Sequence, residues 1–253
     1  MEYKNLTITA PNENGDGLVI WGSQTSDEDV SIKNCTIDFS NVPCNKLDEN
    51  ISFVKGARAK VENCLFTGGI KLALCGNGDY PVEDNLMNIN FKNCVFKDFG
   101  RRGPEAQDGA FVWLENCVFW NWGTESRFDV RSFAGWAHSG ARIVTSNCVF
   151  IQDKFFQCSL KNMIIDILNH IGNDYNDGCL SYKSFIPGVM KGLFSTDEGS
   201  VDAYNKLYKN RWVYIEGSKF LHRGSKHAAR RIIHSAFTAC GIEHLIPEIE
   251  KNL

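Results

Sequence analysis

The chain has 253 residues, 43% of them hydrophobic, enough to bury one sizeable core and to form one domain, or one domain with an appendage. Its formal net charge of −3 and pI of about 6.1 lack the basic excess that nucleic-acid binding uses, so no nucleic-acid partner is expected. No apolar run reaches the roughly 18 residues of a membrane span, so no membrane partner is expected, and MEYKNLTITAPNENGDG (1–17) shows no apolar signal-peptide segment.

The first element in chain order is a short strand at NLTIT (5–9). Five related phrases follow: VSIKNCTIDFS (30–40), AKVENCLFTGG (59–69), INFKNCVFKDFG (89–100), VWLENCVFWNWG (112–123) and IVTSNCVFIQD (143–153). Each alternates apolar and polar residues, as half-buried strands do, then passes through Asn-Cys into a second short strand. Gly, Asn and Asp follow where turns are needed. Repeats of this length call for a repeat architecture, and this unit is too short for a propeller blade and contains no helix. A solenoid of strands remains, with coils stacked about 4.8 Å apart. The fold expected is an all-β solenoid, a right-handed parallel β-helix, the hand following from parallel strand connections. Asn34, Asn63, Asn93, Asn116 and Asn147 should form an amide ladder at a bend, with Cys35, Cys64, Cys94, Cys117 and Cys148 in a column beside it.

The ten cysteines include no CxxC pair, and no histidine stands at ligand spacing to a cysteine, so zinc is not expected. The five repeat cysteines read as reduced, buried thiols acting as small apolar residues, which fits a reducing compartment. From about residue 159 the pattern changes. LKNMIIDILNHIGNDYNDG (160–178) has helical spacing, and SKHAARRIIHSAFTACGIEHLIPEIEKNL (225–253) reads as one or two helices, with Ser225 as N-cap and Gly241 as stop. The division expected is a β-helix over 1–158 and a mainly helical region over 159–253, lying along the solenoid or capping its C-terminal end. No cap is visible for the N-terminal coil, which makes it a surface for docking or self-association.

The stretch LALCGNGDYPVEDNLMNINFKNCVFKDFGRRGPEAQDGAFVWLENCVF (72–119), with Lys71 before it, resembles the centre of the pectate and pectin lyases of the first polysaccharide-lyase family. There "KxMLxGHSD" is followed by a strand, then "RxPxxR". The preceding coil, DENISFVKGARAKVENCLF (48–66), is similar to the family's "DGLxDxxxGSxxVTxSxNxF", and the resemblance spans about residues 5–153. It implies a catalytic pair, Arg102 and Lys71. Arg102 matches the arginine proposed to remove the C5 proton of a uronate before β-elimination, and Lys71 matches the substrate-binding lysine. Gln107 stands at the motif's second arginine and is carried over as substrate-binding. Lys33 falls on the calcium-ligand aspartate, where an ammonium would replace the metal's charge. Of the "DGLxD" acidic positions, Asp48 is retained and Ser52 is not. Calcium takes six to eight hard oxygens, so this depleted set implies no metal and no cofactor.

β-Elimination beside a uronate carboxylate needs that carboxylate neutralised, a base at C5 and a proton for the leaving oxygen. Lys71 and Lys33 could supply fixed positive charge. An arginine base must overcome a free pKa above 12, so Arg102 reads equally as a bidentate carboxylate clamp, or as a surface arginine paired with Glu105 or Asp108. Trp113 could stack on a sugar ring. The long loop 123–142 carries Arg127 and Arg131 as substrate-binding groove-wall cations. Two function classes stay open. One is a polysaccharide lyase acting on an acidic glycan, in the form of a phage-encoded enzyme made without a leader and released at lysis. The other is a non-catalytic glycan-binding or structural module of a virion or tail. The partner expected is an acidic polysaccharide, and the structural module would hold a glycan or another partner through the same face.

Overall fold

The computed structural model describes residues 1–9, 17–21, 30–41, 49–54, 56–69, 71–76, 87–100, 102–107, 110–122, 135–137, 142–152, 194–195, 212–216, 219–222, 226–251 and 253. Six coils are present among them. Each coil lays one strand on each of three parallel sheets, and the chain is a right-handed parallel β-helix. Sheet A holds β1 (Glu2–Lys4), β4 (Val30–Lys33), β7 (Arg58–Glu62), β10 (Asn88–Lys92), β13 (Phe111–Glu115) and β16 (Arg142–Ser146). Sheet B holds β2 (Thr7–Thr9), β5 (Thr36–Phe39), β8 (Leu65–Gly68), β11 (Val95–Phe99), β14 (Val118–Trp122) and β17 (Cys148–Gln152). Sheet C holds β3 (Leu18–Trp21), β6 (Ile51–Val54), β9 (Lys71–Cys75), β12 (Arg102–Ala106), β15 (Gly135–Ala137) and β18 (Phe194–Ser195). Sheet B then continues through β19 (Trp212–Glu216) to β20 (Lys219–His222), which pairs antiparallel.

The Asn-Cys phrase is the bend between sheets A and B. Its asparagines take left-handed backbone angles, with φ between 51° and 56° for Asn34, Asn63, Asn93, Asn116 and Asn147. A single left-handed residue turns the chain in the space of one position. Asparagine tolerates that geometry, whereas most L-residues would lose about 1 kcal/mol or more. The amides then bond up the stack: Asn63 Nδ2 to Asn34 Oδ1 at 3.0 Å, Asn93 to Asn63 at 3.2 Å, Asn116 to Asn93 at 3.4 Å. Asn34 donates in turn to Asn5 at 3.1 Å, with φ 56° at Asn5, so the NLTIT strand extends the bonded ladder to five amides from Asn5 to Asn116, and Asn147 shares their left-handed bend.

The thiol column is buried and free of disulfides. Cys64, Cys94, Cys117 and Cys148 each place Sγ within 3.5–3.7 Å of a carbonyl in the preceding coil. Burial pushes Cys94 and Cys117 well above the ordinary thiol value of 9.0. Cys64 is raised first by its hydrogen bond with the Cys94 thiol and then by burial. These thiols keep their protons in the folded chain at pH values where an unfolded chain has lost them. Stability is therefore full below pH 9 and falls as pH rises above it, by about 1.4 kcal/mol per such thiol per pH unit. The expected result is a urea midpoint that drops between pH 8 and 10, with these cysteines inert to iodoacetamide until urea unfolds the chain. Native-state alkylation at pH 8 would contradict it.

Phenylalanines fill the interior. Phe66, Phe96, Phe119 and Phe150 share one register row of sheet B and stack face to face, with centroids 5.0, 4.7 and 4.8 Å apart. Phe91 from sheet A meets Phe66 and Phe96 edge-on. A second apolar cluster lies outside sheet B, where Val95, Val118, Trp120, Val149 and Ile151 are covered by Ala229, Ile233, Ala236 and Phe237 of helix α1 (Lys226–Ala239) and by Ile249 of α2 (Ile246–Glu250). Gly241, at φ 70°, ends α1 as its sequence position implies. Cys240 Sγ donates to Asn93 O at 3.4 Å and ties the helix end to the ladder.

Of the two placements open to the C-terminal helices, α1 and α2 therefore take the flank of the solenoid. Strand residues do not stop at 158, since β18, β19 and β20 extend sheets C and B to residue 222. The helix expected at 160–178 lies outside the described residues, as does Ser225. No described helix is long and apolar enough to cross a membrane.

Candidate functional site

Lys71 and Arg102 open strands β9 and β12 on sheet C, and local geometry brings them into register. After β8 the chain turns through Gly68 and Gly69, both with positive φ. A Cβ on Gly69 would sit 2.1 Å from Asn50 Oδ1, so only glycine fits there. In the next coil Gly100 N donates to Gly69 O at 2.8 Å, stacking one turn on the other. That coil has one more residue between its phenylalanine row and sheet C. A bulge at Asp98, φ 50°, absorbs it, and Asn121, φ 56°, repeats the bulge one coil on and donates to Asp98 Oδ1 at 3.2 Å. The outcome is that Arg102 is the register partner of Lys71. The backbone of Arg102 is placed; its side chain lies outside what the structure describes.

The Lys71 side chain is 13% exposed and held by two carboxylates. Its Nζ lies 2.9 Å from Glu49 Oε1, one coil earlier, and 3.6 Å from Glu105 Oε2, one coil later. The Glu105 side chain is only 5% exposed. Lys71 thus clamps three successive coils at the start of sheet C. A parallel bridge between Glu49 and Lys71 and a hydrogen bond from Asn50 N to Lys71 O, 2.9 Å, fix the backbone beneath it. Asn50 is fully buried, donates to Gly68 O at 3.1 Å and finds no hydrogen-bond partner for Oδ1 among the described residues. Ammonium and carboxylates so shielded interact more strongly than on an open surface.

The other sequence candidates fall elsewhere. Lys33 ends β4 on sheet A and pairs with Glu62 at 2.9 Å, a contact that raises its pKa; the structure does not bring it to Lys71. Gln107 follows β12 at the end away from Arg102, about 16 Å along the strand. Trp113 lies on β13 in sheet A, stacked beside Phe111. Asp48, Arg127 and Arg131 lie outside the described residues. Among the described residues, no group of three His, Cys, Asp or Glu side chains is placed to hold a metal ion. Glu49 and Glu105 are the members that sequence reasoning missed in this role. Glu105 read only as a partner for Arg102.

A family model described as right handed beta helix region matches residues 16–185. The chain belongs to the right-handed β-helix family. The matched segment runs past residue 158 and ends before the strands at Phe194–Ser195, Trp212–Glu216 and Lys219–His222. The β-helix superfamily includes the pectate lyases, and its fold is found in enzymes that act on polysaccharides. No curated protein and no solved structure matches the chain.

Proposed function

We propose that this β-helix protein acts on an acidic, uronate-containing glycan at the start of sheet C, by β-elimination. The observation that carries the reading is the pairing of Lys71 with Arg102 on adjacent strands, the two positions that resemble the lyase pair. In the proposed step a base takes the proton from C5 of the uronate. The C5–H electrons form the C4–C5 double bond, the C4–O4 bond breaks, and the leaving oxygen takes up a proton. Negative charge builds on the uronate carboxylate as C5–H breaks, so a fixed cation there lowers the barrier. Lys71 fills that role, with the substrate carboxylate competing for the ammonium against Glu49 and Glu105. Arg102 serves as base or carboxylate clamp. A C5 proton must lie within hydrogen-bond reach of whichever group removes it.

One observation favours a second reading, a glycan-binding or structural module without turnover. Lys71 already has two carboxylate partners, and such a cluster can serve purely as a clamp between coils. Turnover separates the two. The protein is incubated with polygalacturonate, methylated pectin, alginate and hyaluronan, with and without calcium, while the far-ultraviolet absorbance of the unsaturated product is followed. The lyase reading expects a rise with at least one of them, lost in Arg102→Ala with the fold intact. A flat trace with every glycan at every calcium level removes the lyase reading and leaves the binding module.

A further inference from the structure

We propose that the outer face of sheet A carries a second sugar-binding surface, a platform built by Phe111 and Trp113. The proposal rests on the glycan reading above only for its choice of ligand, because the surface lies on a different sheet from Lys71 and Arg102. The two rings are two residues apart on one strand, half-buried, with centroids 6.4 Å apart and planes only 29° from parallel. Large aromatic side chains on a rigid sheet, outside the core, form a flat apolar step of the kind that packs against the C–H face of a pyranose.

Register fixes what surrounds the step. One coil before, Asn88 pairs with Phe111 and Asn90 with Trp113. One coil earlier again, Arg58 pairs with Asn88 and Lys60 with Asn90. Asn88, Arg58 and Lys60 are exposed and Asn90 is half-buried. The result is a grid of two aromatics, two amides and two cations, stepping about 4.8 Å from coil to coil. A short glycan lying along the solenoid axis would stack a ring on the aromatics. Its hydroxyls would meet the amides, and a carboxylate about 10 Å further on would meet the cations. The occupant we assign is therefore an acidic oligosaccharide.

Charge on the same face argues against a nucleic acid. The neighbouring row pairs Lys33 with Glu62 at 2.9 Å and Lys92 with Glu115 at 3.2 Å, so its cations face carboxylates of the same row. A phosphate backbone needs a run of uncompensated basic charge.

The test is isothermal titration of the whole chain with tetragalacturonate, tetraguluronate, a hyaluronan tetrasaccharide, neutral cellotetraose and a single-stranded DNA octamer. Wild type is expected to bind at least one acidic tetrasaccharide through a site that Trp113→Ala weakens tenfold or more and Phe111→Ala also weakens. Trp113→Phe, which keeps a flat ring, should retain binding, and Lys71→Met should leave this site unchanged. Circular dichroism checks that each variant is folded. Unchanged binding in both alanine variants overturns the platform even if Lys71→Met abolishes a site on sheet C. Loss in Trp113→Ala with no effect of Lys71→Met keeps the platform and overturns the sheet C site. Tighter binding of the octamer than of any tetrasaccharide, or no binding of any acidic tetrasaccharide, overturns the proposal.

Discussion

Phe119→Ala is expected to lower the unfolding free energy by about 4 kcal/mol, one of the largest losses any single core truncation can cause here. Phe119 is fully buried at the centre of the sheet B stack, with Phe96 4.7 Å on one side and Phe150 4.8 Å on the other. Alanine removes the transfer energy of a whole ring and both ring–ring contacts. It leaves a cavity that cannot collapse, because backbone pairing with β11 and β17 holds the walls apart. The outward neighbours Val118 and Trp120 are pinned by the helices, so the strand cannot shift to refill the space. Urea unfolding at pH 7 measures the loss. A change under about 1.5 kcal/mol would mean that the row is not packed as described.

Lys71→Met is expected to lower kcat/KM on the responsive glycan by about a hundredfold or more, the range seen when a fixed charge at developing negative charge is removed. It should also lower stability, because the nearly buried Glu105 and the shielded Glu49 both lose an ammonium contact. These effects separate by comparison. Glu49→Gln releases one carboxylate from Lys71 while keeping the ammonium in place. Under the lyase account this variant binds the glycan as well as wild type or better, since the substrate carboxylate meets one competitor fewer. Under the clamp account it simply loosens the coils. Kinetics and urea unfolding on both variants distinguish the two.

The repeat was legible because two residue types were forced. A left-handed bend in every coil calls for asparagine, and the position after it accepts only a small, weakly polar side chain, which cysteine satisfies. The flank covered by helices was also written, though less plainly. The outward residue after the thiol is Thr36 in the second coil, Leu65 in the third, then Val95, Val118 and Val149. That change follows the cover by α1, with Thr36 outside the apolar cluster and the three valines inside it. Strands that become apolar on both faces must be buried on both faces.

The site was half legible. Residues before Asn-Cys lie on sheet A, and those after the second strand lie on sheet C. Applied to sheets as well as coils, the same spacing separates Lys33 and Trp113 from Lys71 and Arg102. What spacing could not reveal is the pair of carboxylates on Lys71. Glu49 follows a longer connection than Lys71 or Arg102 does, and Glu105 reaches back across a coil boundary. Such contacts depend on loop length and side-chain reach, which a repeat pattern does not encode.

The central claim is that register joins Lys71 and Arg102 into one glycan site. A double-mutant cycle tests it most directly. Binding of the tightest acidic tetrasaccharide is measured in a Trp113→Ala background, which silences the sheet A surface, for the parent, Lys71→Met, Arg102→Met and the double variant, each confirmed folded. The account predicts that each single change weakens binding and that the two losses are not additive, with a coupling of about 1 kcal/mol or more, as expected of groups sharing one ligand carboxylate. Losses that simply add, or single variants that bind like the parent, would contradict it.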